Sequence, residues 1–249
     1  GDDLLRHEAL RSLKELGVDV SNVRAAANEK TGVALVIVQP DSNKVIFLVG
    51  NANQAWSEQD ADEVADSVSR TPQDSVLVIN MEVPVGIVRR ALLAARARSQ
   101  RTILDPSPAG DVTDDLLPLA DFITPNEAEA QQLTGIEVKS PDDAYRAGKA
   151  LVNRGIGTAL VKLGGEGCAM VDRESARQVS GFKMKAVDTT GGGDAFAGGL
   201  TVVLLEGKPI QEAVRFAVAA AALAVTKFGA QPSYPTRAEL ENFISRHNA

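Results

Sequence analysis

Helical and strand patterns alternate along the chain from residue 57 onward, and this alternation limits the possible folds more than any other feature of the sequence. Apolar side chains recur with the helical period at 57–70, 84–99, 126–133 and 141–154. Short apolar runs between them predict strands at 76–80, 102–104, 121–123 and 158–163. Strands joined through helices form crossovers, so we expect an α/β fold with a doubly wound, mostly parallel sheet flanked by helices.

The two ends of the chain add further elements to this pattern. The apolar spacing of residues 3–16 predicts a helix that stops at Gly17. The β-branched runs 31–38 and 44–50, joined by a turn at 39–43, predict a separate antiparallel hairpin. Towards the C-terminus we expect strands at 168–171 and 178–184 and helices at 194–205, 209–228 and 236–246. Residues 1–249 are expected to form a single domain, because α/β chains of this length commonly share one core.

The composition argues against several classes of function. The 249 residues carry a net charge of −7 without a basic stripe, which disfavours nucleic acid or an anionic membrane surface as a partner. No apolar run approaches the roughly 18 residues of a membrane span. The single cysteine, Cys168, excludes an internal disulfide, and neither His7 nor His247 has a neighbour at zinc-ligand spacing. The acidic start at residues 1–3 is unlike a signal peptide, so we expect a cytoplasmic protein.

Residues 188–199 read Asp-Thr-Thr-Gly-Gly-Gly-Asp-Ala-Phe-Ala-Gly-Gly and place Asp194 directly after Gly191, Gly192 and Gly193. The first N–H groups of a helix lack internal partners and carry the positive end of its dipole, so glycines there let backbone donors approach an anion. A carboxylate beside such donors can accept the proton of an attacking hydroxyl, which fits phosphoryl transfer. The alternative is a tight turn followed by a first-turn acid that the dipole favours.

Polar residues follow three of the predicted strands. Glu82 comes after the strand ending at residue 80. Asn126 follows the strand ending at residue 123, and Lys162 stands at the end of the strand that begins at residue 158. In open parallel sheets, ligands bind beyond the carboxyl ends of the strands, so the sequence predicts a site at this edge.

Each candidate also has a purely structural interpretation. Asn126 and Glu129 have the spacing of a capping box. The stretch 162–167, Lys-Leu-Gly-Gly-Glu-Gly, is typical of a glycine turn between strands, and no Lys-Ser/Thr pair follows its glycines as in a phosphate loop. Glu82 is also placed as a first-turn acid of a helix, and Gly229 as a residue that ends one.

The string Asp-Thr-Thr-Gly-x-Gly-Asp-Ala-Phe-x-Gly resembles the C-terminal signature of the PfkB, or ribokinase-like, carbohydrate kinases. Segments 123–130 and 224–233 resemble further elements of this family. One position departs from the signature, because Gly192 stands where the family usually has alanine. The resemblance implies a ribokinase-like α/β fold and ATP-dependent phosphorylation of a sugar hydroxyl. It favours D-ribose at O5 over the alternatives, fructose or a nucleoside.

The resemblance also implies roles for individual residues. Asp194 is implied as the base and a sugar contact, with the anion hole at Gly191, Gly192 and Gly193, while Glu82 meets the sugar hydroxyls. Asp105 occupies a place near the site where the family often has asparagine. Contacts with ATP are implied for Asn126, Lys162, Leu163, Gly164, Gly165, Glu166, Gly167, Gly193 and Val218. Magnesium is implied at Asn126 and Glu129, and a potassium ion at Asp188, Thr190, Ala224, Lys227, Gly229 and Ser233.

The hairpin at 31–50 corresponds in the resemblance to a lid over the sugar. Lids of this family pair two subunits, which implies a homodimer. The sugar-binding Asp and the Gly-Gly-x-x-x-Asn segment that open the family pattern do not occur in residues 1–249, so we expect exposed strand edges and apolar surface. A catalytically silent binding fragment is therefore the alternative to an active kinase.

Overall fold

A small antiparallel sheet lies near the start of the chain. The computed structural model describes residues 1–38 and 44–247, and its first element is helix α1, Leu4–Glu15. Strand β1, Val33–Val38, pairs antiparallel with β2, Lys44–Val49. This pairing confirms the predicted strands of the hairpin, while the turn predicted at 39–43 lies outside the described residues.

A second sheet of six strands forms the body of the protein. Its strands are β3 Val76–Ile79, β4 Arg101–Leu104, β5 Phe122–Ile123, β6 Thr158–Lys162, β7 Gly167–Val171 and β8 Ala176–Ser180. They lie side by side in chain order. The pairings from β3 to β6 are parallel, and those from β6 to β8 are antiparallel. The predicted mostly parallel sheet is thus confirmed.

Seven helices follow α1 in the described part of the chain. They are α2 Glu58–Arg70, α3 Val85–Ala97, α4 Glu127–Thr134, α5 Pro141–Asn153, α6 Gly192–Leu205, α7 Ile210–Ala224 and α8 Arg237–His247. Local capping sets several of these starts. Ser57 forms a capping box with Asp60, and the Ser140 side chain accepts from the N–H of Asp143.

The ends of one helix and one strand differ by several residues from the sequence prediction. Helix α7 ends at Ala224 rather than at residue 228, because the Val225 carbonyl accepts from the N–H groups of Val187 (2.8 Å) and Asp188 (3.3 Å) instead of continuing the helix. Strand β8 occupies 176–180 rather than 178–184. Beyond it, the Gly181 N–H donates to the Glu166 carbonyl at 3.0 Å, so the backbone pairing ends at this residue and no strand follows to 184.

Helices cover both faces of the six-stranded sheet. Successive strand residues point to opposite faces, so Ile103 and Leu160 pack with α6, α7 and α8, whereas Leu104 and Ala159 pack with α3 and α5. Cys168 is also fully buried beneath α6 and α7, and this burial raises the pKa of its thiol to about 12. The sheet is therefore a central layer, and the carboxyl ends of its parallel strands β3 to β6 lie at one edge.

The β1–β2 sheet and the outer strand β3 leave apolar side chains in solvent. Leu35 is 60% exposed, Phe47 56% and Val78 42%. These values confirm the expected apolar surface on the hairpin and at the sheet edge. None of the described helices combines the length and the apolar character that crossing a bilayer requires.

The central strand β6 provides a stability test. Leu160→Ala should lower the free energy of unfolding by about 2–5 kcal/mol, because Leu160 is fully buried and its loss leaves a cavity. Leu93→Ala on α3 is the matched control: Leu93 is 45% exposed, so its cost should stay below about 1 kcal/mol. Urea unfolding followed by circular dichroism measures both, and equal losses would contradict the assignment of Leu160 to the core.

Candidate active site

The carboxyl ends of the four parallel strands meet at one edge of the sheet. Backbone pairing continues just past the strands, since the Asp105 N–H donates to the Ile79 carbonyl (2.9 Å) and the Lys162 N–H donates to the Pro125 carbonyl (2.8 Å). This register brings Glu82, Asp105, Asn126 and Lys162 to the edge where the sequence predicted a site.

Helix α6 begins at the same edge with the glycine run. Gly191 is the N-cap residue with φ 77°, a left-handed conformation that glycine adopts readily, and Gly192 and Gly193 are the first two helical residues. A Cβ atom on Gly191 would lie 3.0 Å from the Tyr234 ring and 3.1 Å from the Ala230 Cα. A side chain at this position would therefore be strained, both by the left-handed backbone and by these close contacts. As N–H groups of the first helical turn, those of Gly193 and Asp194 have no acceptor within the helix.

Asp194 is the third residue of α6, and its side chain is exposed. The Tyr234 hydroxyl donates to its Oδ2 at 3.4 Å. Burial, and after it the charge of Asp194, raises the pKa of Tyr234 to about 12, so the phenol remains a donor at neutral pH. Sequence reasoning missed Tyr234, although it directly follows the segment 224–233 that had been singled out.

Lys162 and Asp105 form an ion pair beside the glycine turn. The Lys162 Nζ is 3.6 Å from the Asp105 Oδ1, and the two side chains are only 15% and 10% exposed. A Cβ on Gly193 would lie 3.2 Å from this Nζ, so the ammonium group lies directly against the backbone of the third glycine. Burial raises the pKa of Asp105; the charge of Lys162 opposes this shift and that of Asp194 adds to it.

Glu82 completes a group of three carboxylates at this edge. Its side chain is half-buried, and burial followed by the charges of Asp194 and Asp105 raises its pKa. The mutual repulsion of Glu82, Asp105 and Asp194 makes this cleft favourable for a cation. Still, among residues 1–38 and 44–247 no three His, Cys, Asp or Glu side chains are arranged to hold a metal ion by themselves.

Asn126 and Glu129 form the capping box that their spacing allowed. The Asn126 Oδ1 accepts from the Glu129 N–H at 2.9 Å, and the Glu129 Oε2 accepts from the Asn126 N–H at 2.8 Å. Both side chains are half-buried at the start of α4. Their capping role is thus observed, and their magnesium role stays a prediction.

The predicted nucleotide stretch 162–167 forms a tight turn between β6 and β7. Leu163 is buried, whereas Gly164, Gly165 and Glu166 form an exposed 3₁₀ turn. Gly167 has φ 101°, and a Cβ there would collide with the Val179 carbonyl oxygen at 2.1 Å. The turn between the strands is thus observed, and the contact of these residues with ATP stays a prediction.

Val218, the remaining predicted ATP contact, lies on α7 and is only 5% exposed. It packs in the core with residues of α6, α7 and α8. The structure therefore places Val218 under the surface rather than on it, and its contact with ATP stays a prediction.

Asp188 organises the loop for which a potassium ion was predicted. It is 2% exposed and accepts from the Thr190 N–H (2.8 Å) and the Gly229 N–H (2.9 Å). Ser233 is fully buried, and its hydroxyl donates to the Ala230 carbonyl at 2.7 Å. The structure thus brings Asp188, Thr190 and Gly229 together, next to the turn that carries Gly191.

Ala224 and Lys227 lie at the end of α7 in the same loop. Ala224 is fully buried, and its carbonyl accepts from the Lys227 N–H at 3.2 Å. The exposed Lys227 side chain pairs with Glu239 at 3.6 Å, so a role in ion binding could involve only its backbone. These two assignments stay predictions.

Two glycines of α6 test whether the turn at its start is conformationally restricted. Gly191→Ala should lower the free energy of unfolding by about 1–3 kcal/mol, since its backbone is left-handed and the new methyl group meets Tyr234. Gly198→Ala, exposed within the same helix with no atom near its Cβ, should raise it by about 0.5–1 kcal/mol. Urea titration compares the two variants, and shifts of the same sign would contradict this account.

Comparison with known proteins identifies relatives over nearly the whole chain. Residues 1–237 match the pfkB family carbohydrate kinases. The chain is 37% identical over 244 residues to the ribokinase of Haemophilus influenzae, covering 98% of this chain and 79% of that protein. It is 30% identical over 246 residues to the deoxyribokinase of Salmonella typhi, with 98% and 79% covered. The structure of Arabidopsis thaliana ribokinase complexed with ribose and ATP has a TM-score of 0.81 and 31% identity, covering 98% of this chain and 79% of that one.

These matches include the four strand ends and the glycine run of α6. They confirm the ribokinase-like fold and the carbohydrate kinase activity class predicted from residues 188–199, while the roles of individual residues stay predictions. The chain belongs to the PfkB family of carbohydrate kinases.

Proposed function

We propose that this carbohydrate kinase transfers the terminal phosphoryl group of ATP to O5 of D-ribose, with Asp194 as the base. The observation that carries the proposal is the position of Asp194: it is exposed at the third residue of α6, directly after the left-handed turn at Gly191. A carboxylate in that position lies beside backbone donors that can hold a phosphoryl group.

In the proposed step, Asp194 accepts the proton of the sugar hydroxyl while the sugar oxygen forms a bond to the terminal phosphorus. The bond between that phosphorus and the β–γ bridging oxygen breaks, and ADP leaves with its electron pair. The N–H groups of Gly193 and Asp194 stabilise the charge on the transferred group. Gly192 contributes less, because its N–H already donates to the Thr189 carbonyl at 3.3 Å. Tyr234 orients the carboxylate of the base.

A divalent metal ion is part of the family's chemistry, and we propose magnesium. The residues present fit it: Thr124 Oγ1 is buried at this edge and makes no hydrogen bond to any described atom, and hard oxygen ligands suit magnesium. Asn126 and Glu129 would reach the ion through water, because their capping bonds already engage one oxygen of each. When bound, magnesium neutralises phosphate charge, and ATP would lie along 162–167 towards Gly193.

A potassium ion is proposed in the loop that Asp188 organises. The fit rests on Thr190, whose buried Oγ1 has no hydrogen-bond partner among the described residues, and on the nearby buried Ser233. Backbone carbonyls of Ala224, Lys227 and Gly229 would complete the ligand set. The ion would stabilise the turn that ends at Gly191.

Potassium should raise the melting temperature of the protein relative to choline chloride at equal ionic strength, because a ligand that binds only the folded state stabilises it. Asp188→Asn should remove this difference between the two salts, since the carboxylate that positions Thr190 and Gly229 loses its charge. Differential scanning calorimetry measures the shift. Equal melting temperatures of the unmodified protein in both salts would contradict the potassium site.

The choice of sugar is supported by the names of relatives and by Glu82. The relatives include a ribokinase at 37% identity and a deoxyribokinase at 30% identity. The Glu82 carboxylate faces the same cleft as Asp194 and can accept hydrogen bonds from sugar hydroxyls. Release of ADP with ribose, 2-deoxyribose, fructose and adenosine compares these substrates, and turnover of fructose or adenosine without ribose would overturn the choice.

Asp194→Asn should lower kcat by about two or more orders of magnitude with the fold intact, because an amide cannot accept the proton of the hydroxyl. Asp74→Asn, at an exposed position in the loop before β3, is the matched control and should keep its kcat. A coupled assay for ADP and a circular dichroism spectrum test both variants. Turnover of Asp194→Asn within a few-fold of the parent would contradict the base assignment.

The alternative of a silent fragment predicts a different outcome in the same assay: no ADP release from the unmodified chain with any sugar.

We also propose a homodimer through the β1–β2 sheet, supported by its exposed Leu35 and Phe47, which light scattering would detect as a doubled mass. A cytoplasmic location is proposed from the single buried Cys168, which suits a reducing compartment.

A further inference from the structure

We propose that the ammonium group of Lys162 binds the terminal phosphoryl group of the nucleoside triphosphate. In this proposal Asp105 is a positioning residue that holds the lysine beside the glycine turn. The inference rests on the proposed function and extends it to two side chains. It makes Lys162 a side-chain contact that distinguishes a triphosphate from a diphosphate.

The first argument is the position of the ammonium group. Lys162 ends β6, and its Nζ lies within 3.2 Å of the position that a Cβ on Gly193 would occupy. A phosphoryl oxygen bound by the N–H groups of Gly193 and Asp194 would stand on the same side of this turn. The lysine is therefore within reach of the group that the helix terminus binds.

The second argument is the incomplete pairing of Lys162. Its distance of 3.6 Å to Asp105 exceeds a hydrogen bond, and Asp105 Oδ1 has no hydrogen-bond partner in the described chain although it is buried. Two largely buried charges at such a distance gain too little from each other to offset their desolvation. A bound phosphoryl oxygen would give the ammonium group the short, charge-assisted hydrogen bond that Asp105 does not provide.

The third argument is the charge of the cleft. Asp105, Glu82 and Asp194 surround the turn, and each would repel an arriving phosphate. The positive charge of Lys162 favours the ionised form of Asp105 and also that of Glu127 at the start of α4. Lys162 is thus a cation at the centre of acidic neighbours, and Asp105 keeps it on the side of Gly193.

A double-mutant cycle of three variants tests the pair, with two matched controls. The cycle consists of Lys162→Met, Asp105→Asn and the double variant, and the controls are Lys208→Met and Asp74→Asn, both exposed. Titration calorimetry without sugar measures the affinities for ADP and for AMP-PNP, a non-hydrolysable triphosphate, in the presence of magnesium. Melting temperatures monitor the fold.

Lys162→Met should weaken AMP-PNP binding about tenfold or more while ADP binding changes by less than about threefold, the size expected for one lost charged hydrogen bond. Asp105→Asn should weaken AMP-PNP binding less than Lys162→Met does. The double variant should match Lys162→Met alone, because Asp105 acts only through the lysine. Lys162→Arg, which keeps the charge, should retain most of the affinity for AMP-PNP.

Four results would overturn the inference. Equal weakening of ADP and AMP-PNP binding in Lys162→Met would place the lysine at another phosphate. Additive effects in the double variant would give Asp105 an independent structural role. Failure of the unmodified chain to bind either nucleotide would refute the proposed function and the inference together, whereas normal binding with no effect of Lys162→Met would refute the inference alone.

Discussion

The start of α6 is the constraint on which the site depends. Gly191 adopts a left-handed conformation against Tyr234 and Ala230, where a side chain would be strained. This turn directs the first N–H groups of the helix and the Asp194 carboxylate towards the edge where the parallel strands end. Because the Asp188 carboxylate links Thr190 to Gly229, the loop on the other side of the turn is also restrained. A rigid turn of this kind holds donors in place before a charged group arrives, which lowers the cost of reorganisation.

The second determinant is the balance of charge at that edge. Parallel register brings together the acids that follow β3 and β4, and the start of α6 adds Asp194 to them. Only close cations make such a group compatible with a phosphate-binding cleft. Lys162 supplies one positive charge from β6, directly beside Gly193. A kinase of this fold therefore needs the strand ends and the helix start to be aligned to within a few ångströms, although they come from distant parts of the chain.

The sequence predicted the strands and helices because apolar periodicity and caps are local signals. Glu82, Asn126 and Lys162 could be placed at one edge, since parallel crossovers put the carboxyl ends of strands together. Contacts across long sequence distances left no such signal: Tyr234 reaches Asp194 over 40 residues, and Asp105 reaches Lys162 from another strand. The end of α7 was wrong for the same reason, because the Val225 carbonyl is taken by a segment far away in sequence. Asn126 shows a further limit, since one spacing serves a cap and a ligand equally well.

The order of the strands has a consequence for synthesis. Helices α3 and α5 cover one face of the sheet soon after its strands are made, but the opposite face is covered by α6, α7 and α8, which occupy residues 192–247. Helix α6 even reaches back to contact β3 at the far edge. Once β3 to β8 have emerged from the ribosome, one apolar face of the sheet therefore stays exposed until the last quarter of the chain has also emerged. This intermediate is the stage at which the nascent protein most needs protection from aggregation.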